Sequence, residues 1–303
     1  MADDPAAARL SQLPAAMHTV LLDCLDGGIS APVALMRLML SGMPAAAVIA
    51  TLEAIQADMP EDARLKELFT QARQRQDSLA LLERMVRSGS EHRPAPSAEA
   101  GIAASRAMFD RLVRISPEAS VAAYSLGDPL LLEAATREIL AWLHGLGLLE
   151  GRPEVLDLGC GIGRLAAALA PHAGSVLGLD VSPGMVEAAR ARCAGLAGHR
   201  FETCSGHDLA PQQDASFDLV LAADVFPYLV QAGLDLAERH VAEAARILRP
   251  GGSLVILNFS YRGAEADRSD LGCMARRAGL VVLRDGVREL PLWDGLTFWL
   301  RRP

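Results

Sequence analysis

The sequence predicts an α/β protein: a doubly wound, seven-stranded, mostly parallel sheet with an antiparallel last strand, preceded by an all-helical N-terminal domain. Three observations predict it. From Glu154 onward, short apolar runs alternate with helical stretches, the pattern of a parallel sheet covered on both faces. One of those runs, Val155-Leu156-Asp157-Leu158, ends in Gly159-Cys160-Gly161-Ile162-Gly163, and a helix-forming stretch follows at once. Before about residue 90, apolar residues instead recur every three or four positions, which is the helical period.

In the N-terminal region Ser30 is the expected N-cap of a helix over 33–40, with Pro32 in the first turn, where its missing N–H does no harm. Pro44 opens a second helix over 45–56. A longer helix is expected over 61–87, with Leu65, Leu68, Phe69, Ala72, Leu79, Leu82 and Met85 on its apolar face, and Gly89 ends it. The Pro/Gly/Ser-rich stretch 88–97 reads as a linker, which divides the chain into 1–95 and 96–303. Helices near 102–115 and 129–146 follow. Strands are expected at 155–158, 176–180, 200–203, 217–222, 254–258, 281–284 and 297–300, with helices at 164–170, 184–194, 234–248 and 266–278. No helix separates the last two strands, so they should pair as an antiparallel hairpin.

Composition narrows the function classes. The 303 residues carry a formal net charge of −8, which disfavours a phosphate backbone as partner. Lys66 is the single lysine; every other basic side chain is Arg. Five scattered cysteines without CxxC spacing point away from disulfides and metal sites and toward a reducing, cytoplasmic compartment. The opening Met-Ala-Asp-Asp is acidic where a secretion signal would be basic. No run reaches the roughly 20 apolar residues of a membrane span. Neither nucleic acid nor membrane is therefore the expected partner.

The glycine loop carries the chemistry. Glycines at 159, 161 and 163 let the backbone turn sharply and approach a ligand. The helix start behind them offers unpaired N–H groups and a partial positive field. The spacing fits poorly to the dinucleotide fingerprint, whose third glycine comes one residue later, and the Lys-Ser/Thr of a phosphate-binding P-loop is absent. The next strand ends in Asp180, at the carboxyl edge beside the loop. Its carboxylate can accept both hydroxyl protons of a ribose. Alone it could equally cap the helix that follows; the glycine loop favours the ribose role.

VLDLGCGIGR at 155–164 followed by VLGLDVSPGMVEAAR at 176–190 resembles the first two motifs of class I S-adenosylmethionine-dependent methyltransferases. The resemblance extends through FDLVLAADVFPYL at 217–229 and ARILRPGGSLVILNF at 245–259. It implies S-adenosyl-L-methionine as cofactor, with S-adenosyl-L-homocysteine as product. It also implies roles by position. Gly159, Cys160, Gly161 and Gly163 line the methionyl and ribose parts; Asp157 orients the loop or the amino group. Asp180 holds the ribose diol, Val181 and Met185 pack on the adenine, and Ala222 and Ala223 approach the methionine end. Ser205 stands where the family often carries an acid for the adenine amino group. Asp208 substitutes for it, or backbone groups of Gly206 and His207 suffice, or Asp208 only caps a turn.

Methyl transfer needs alignment and exclusion of water more than a strong base. The acceptor-side candidates are Tyr228 and His207, with Asp224, Tyr261 and Arg262 nearby and Tyr124 as a cover. Asp224-Val-Phe-Pro-Tyr228 is similar to the N/D-P-P-Y motif of amino-methylating enzymes but lacks its first proline. The reading that results is methyl transfer to O, N or C of a small metabolite. The alternatives are a protein or peptide methyltransferase recruited by the N-terminal helices, or a non-catalytic scaffold. A homodimer through those helices is a further expectation.

Overall fold

The structure, a computed structural model, describes residues 10, 12–87 and 94–303. The acidic N-terminal tetrapeptide, Gly89 and the linker positions 88–93 lie outside the described residues. The chain forms two compact units. The first takes the described residues of Met1–Glu91 together with Glu118–Ala135 and Pro291–Asp294; the second takes those of His92–Pro117 with Thr136–Leu290 and Gly295–Pro303.

In the first unit, helices span Ala15–Leu25, Ala31–Leu40, Ala45–Asp58, Ala63–Gln74 and Gln76–Arg87. Ala31–Leu40 is apolar all round and accordingly buried on nearly every side, Val33, Ala34, Leu35, Leu38 and Met39 included. Its one charged side chain, Arg37, reaches Asp294 at 2.7 Å and Asp23 at 3.2 Å. Ser30 occupies the N-cap position, but its side chain caps nothing. Pro32, at the second helical position, has no N–H to offer it. The helix expected over 61–87 is two helices. Arg75 leaves helical geometry at φ −115°, ψ 34°, and its guanidinium lies 3.5 Å from Asp128. Tyr124 is buried, edge-to-face with Trp293 at 5.3 Å.

The second unit is built on a seven-stranded sheet. Its strands are β1 (Glu154–Leu158), β2 (Ser175–Asp180), β3 (His199–Thr203), β4 (Phe217–Ala223), β5 (Leu248–Leu257), β6 (Val281–Val287) and β7 (Thr297–Arg301). The order is β3-β2-β1-β4-β5-β7-β6, parallel except for β7, which runs antiparallel to β5 and β6. This is the predicted fold class. The strand order reverses between β1 and β4, so their carboxyl ends open the crevice where such sheets bind ligands. Helices Arg164–Leu169, Pro183–Arg192, Leu234–Ile247 and Ala264–Ala278 connect the strands. Among the described residues no helix is long and apolar enough to cross a membrane.

Two departures from expectation have physical causes. β5 begins at Leu248, six residues before the expected 254, through Pro250-Gly251-Gly252 that reads as a turn. The ladder continues there because Gly251 N–H donates to Arg302 at 2.8 Å and Arg302 N–H to Gly252 at 2.9 Å. Phe226–Ala232 is a helix that Pro227 concealed; the proline sits in the first turn, where it is tolerated. Gly101 of the helix Ala98–Ile115 packs on it so closely that a Cβ would stand 2.4 Å from that of Ala232.

The sheet tolerates little extra volume beside the glycine loop. A Cβ on Gly178 of β2 would lie 2.4 Å from the Phe201 ring and 3.0 Å from Cys160 Cβ. Gly178→Ala is expected to destabilise the protein by about 1–3 kcal/mol through overpacking, measurable by urea denaturation; an unchanged midpoint would contradict this packing.

Candidate functional site

The loop after β1 is held from below by the neighbouring strand. Gly159 and Cys160 N–H groups both donate to the Leu179 carbonyl, at 2.8 and 3.0 Å. Gly161 N–H donates to Asp180 Oδ2 at 3.0 Å, and Ser182 N–H to Asp180 Oδ1 at 2.9 Å. All three loop glycines take positive φ, between 51° and 72°, a region costly to any residue with a Cβ. Two of them also pack closely on protein. A Cβ at Gly159 would meet Val225 at 2.7 Å, and one at Gly163 would meet Ala189 at 3.0 Å. Gly163 thus lets the helix Pro183–Arg192 approach the loop, and Gly159 lets the segment after β4 approach it.

Asp180 does not cap the helix that follows it. Ser182 does, accepting from Met185 N–H at 3.1 Å. Asp110, from the helix Ala98–Ile115, accepts both the Ser182 hydroxyl at 2.6 Å and Gly184 N–H at 3.0 Å. Arg106 of the same helix donates to the Val181 carbonyl at 2.9 Å. Asp110 and Arg106 have no sequence signal; they lie more than 70 residues from their partners and carry no motif.

Two carboxylates are buried here. Asp180 is 8% exposed and Asp157 1%. Desolvation pushes Asp180 up to about 6, against the pull of the Ser182 and Gly161 N–H groups. Desolvation pushes Asp157 up to about 7, with Arg164 opposing and Asp180 adding. Asp157 Oδ2 is buried with no hydrogen-bond partner. A buried acceptor left unpaired is costly, so this atom suits a ligand that donates, such as an ammonium group.

The other expected residues fall as follows. Gly206, at φ 80°, lies where a Cβ would stand 2.7 Å from Val181, with Ile102 of the leading helix at 3.0 Å. Met185 and Ala222 are fully buried, Ala223 is half-buried, and Cys160 is 5% exposed. Burial raises the Cys160 thiol well above its ordinary range. Asp208 Oδ1 accepts from Ala210 N–H at 3.2 Å, the geometry of a local turn. His207 is half-buried, its N–H donating to Ser205 Oγ at 3.2 Å. Tyr228 lies edge-to-face with Phe109 at 4.9 Å. Burial, then the charge of Asp224, raise its phenol above the ordinary range. Arg262 is paired with Asp270 at 2.6 Å.

A methyltransferase-domain family model matches residues 156–256, from β1 through most of β5. A demethylmenaquinone methyltransferase of Clavibacter sepedonicus is 35% identical over 210 residues, 64% of this chain and 79% of that protein. The chain belongs to the class I S-adenosylmethionine-dependent methyltransferase family. The demethylmenaquinone methyltransferase of Tropheryma whipplei (strain Twist) is 31% identical over 52% of this chain, which spans 59% of that relative's length. Among solved structures, a phosphoethanolamine N-methyltransferase from Haemonchus contortus shares the fold, with a TM-score of 0.51 at 16% identity over 68% of this chain and 49% of its own. The family's cofactor is S-adenosylmethionine, and the buried acceptors of Asp157 and Asp180 fit its amino and hydroxyl donors.

Two outcomes follow. Asp180→Ala removes a carboxylate that orders the loop and the turn after β2; charged hydrogen bonds contribute about 1.5–3 kcal/mol each. S-adenosylhomocysteine affinity by calorimetry should fall about ten- to hundredfold; an unchanged Kd would refute the assignment. The second concerns pH. Both carboxyls are raised to about 6 and about 7 in the folded chain. Their stabilising contribution is therefore present below the ordinary carboxylate range and is lost as pH rises through 6–7. A ligand that donates to the carboxylates favours the charged forms, so binding should release protons and tighten as pH rises from 5.5 to about 7.5, then level off. Affinity that weakens over that range would show that neither carboxylate receives the ligand.

Proposed function

We propose that the chain transfers a methyl group from S-adenosylmethionine to O, N or C of a small metabolite, with a quinol or related hydroxylated ring as the leading acceptor class. The observation that carries the reading is the Gly161–Asp180 junction with the unpartnered Asp157 Oδ2 beside it. In this reading Asp157 holds the cofactor's amino end and Asp180 its ribose diol. The loop Gly159–Gly163 lies along the chain between them, and Val181, Met185 and the Gly206–Asp208 turn border the adenine.

When bound, the cofactor supplies a methyl group already activated on a sulfonium sulfur. The protein then has to fix an acceptor lone pair behind that carbon and keep water out. Ala223, half-buried at the end of β4 and with no bulk beyond a methyl, borders the methionine end; Ala222 backs it from the core. Tyr228 orients the acceptor through its protonated hydroxyl, and His207 lies on the adenine side. The demethylmenaquinone methyltransferase relatives support a ring acceptor. The net charge of −8 supports a small molecule over a nucleic acid.

The test is label transfer from methyl-tritiated S-adenosylmethionine to a panel of reduced naphthoquinols, catechols, small amines and peptides. Label is expected in a hydroxylated ring. Label only in peptides would replace this reading with a protein methyltransferase, and absence of cofactor binding by folded protein would leave only the scaffold.

A further inference from the structure

Two imidazoles meet at the amino edge of the sheet, on the side away from the glycine loop. His144 lies in the last turn of the helix Pro129–Gly145, which leads toward β1. His172 lies in the turn between the helix Arg164–Leu169 and β2, where its backbone N–H donates to the Leu169 carbonyl at 2.8 Å. The ring centres are 5.5 Å apart and the planes stand at 85°. His144 is exposed and His172 half-buried.

The pair differs from His199 and His240, whose rings are tied to the backbone. His199 sets Nδ1 3.0 Å from the Ala197 carbonyl and Nε2 3.1 Å from that of Ala166; His240 sets Nδ1 2.9 Å from the Leu236 carbonyl. Among the described residues no hydrogen bond engages a ring nitrogen of His144 or His172; each ring has the other as its partner. The surroundings favour a cation. His144 stands where a helix of 17 residues ends, and the last carbonyls of a helix carry a partial negative field. Gly147 N–H donates to the His144 carbonyl at 2.9 Å, and Glu150 folds back there, its Oε1 3.6 Å from where a Cβ of Gly147 would lie. Arg152 is committed to the Ala173 carbonyl at 2.9 Å.

We propose that His144 and His172 together chelate a divalent transition cation of the zinc type. Imidazole nitrogen suits zinc, copper and nickel. Two imidazoles bound at a Zn–N distance of about 2.0–2.1 Å in a tetrahedral shell hold their ring centres about 5 Å apart, close to the separation found. The terminal torsion of a histidine side chain is broad, so turning the rings brings one nitrogen of each to a common point without moving the backbone. Among the described residues no group of three His, Cys, Asp or Glu side chains forms a metal shell, so water fills the remaining positions. The site is therefore open and exchangeable, unlike the closed four-ligand sites on which folding depends. Bound metal joins the end of one helix to the turn after another. Arg164–Leu169 is the helix that starts at the glycine loop, so the cation braces that helix from its far end. The site is independent of the methyl-transfer reading.

The probe is zinc chloride, titrated by calorimetry into the full chain in a buffer that does not chelate. One equivalent that needs both imidazoles is expected. His144→Ala and His172→Ala should each weaken zinc at least tenfold. The double variant should bind no more weakly than either single one, because one imidazole alone does not chelate; it also reports what the remaining histidines hold. Zinc should raise the Tm of the parent chain and leave that of each variant unmoved. Should His172→Ala fail to fold, His144→Gln, at an exposed helical position that glutamine suits, carries the same test. Parent affinity in either single variant, with only the stoichiometry reduced, would show two separate surface imidazoles and overturn the proposal. So would the absence of zinc binding, which would leave an edge-to-face contact of two rings and nothing more.

Discussion

A single carboxylate ties the ligand-binding edge of the sheet together. Asp180 accepts one N–H from the loop after β1 and another from the turn after β2. It thereby locks two neighbouring strand ends into one surface. The loop could not close on it without its glycines, because positive φ at three alternate positions would strain any other residue. Nor could Asp180 hold both if the following helix needed it as a cap. Ser182 and Asp110 take that duty, so the helix Ala98–Ile115, outside the matched family segment, supports the site indirectly.

The arrangement stores cost as well as order. Two acids here have little access to water, the charge of Asp180 adds to the cost of ionising Asp157, and Asp157 keeps one oxygen unpaired. Arg164 eases Asp157 from the helix behind the loop, and its own guanidinium is held by Thr136 at 3.0 Å. Such a cost is what a binding site is expected to carry: donors brought by a ligand recover what burial took away. Backbone strain likewise sits in the left-handed pair Asp224 and Asn258, just beyond the ends of β4 and β5 and not within the sheet.

Much of this was legible before any coordinates. The strand–helix alternation after Glu154 gave the sheet, because buried parallel strands read as short apolar runs and the helices between them keep their period. The glycine loop and Asp180 were legible because their chemistry is local: a turn, a strand end and a spacing of about twenty residues. Pro227 and Pro250 conceal a helix and the start of β5, since a proline signals a break unless first-turn tolerance or a ladder partner is known. Arg302 supplies that partner from the far end of the chain. Asp110 stayed hidden for the same reason. Its partners are distant in sequence, and an Asp in an amphipathic helix looks like any solvated acid.

Asn258 shows where sequence reading stops and why. It was taken as the last residue of a strand, which its neighbours Leu254–Leu257 justify. Whether a polar residue at that point continues the strand or leaves it depends on the next hydrogen bond. Here that bond goes to Leu296, before β7, and the backbone turns left-handed. The turn brings the amide to Asp224 on the neighbouring strand, a pairing set by the β4–β5 register and by no motif. A cofactor shared by a whole family is read by residues of fixed spacing on adjoining elements, so its half of the site is written in short motifs. The pairing of Asp224 with Asn258 is instead one that only the completed sheet brings together, at the ends of β4 and β5. Contacts of that kind belong to the part of the molecule that tertiary structure composes, and no short motif announces them.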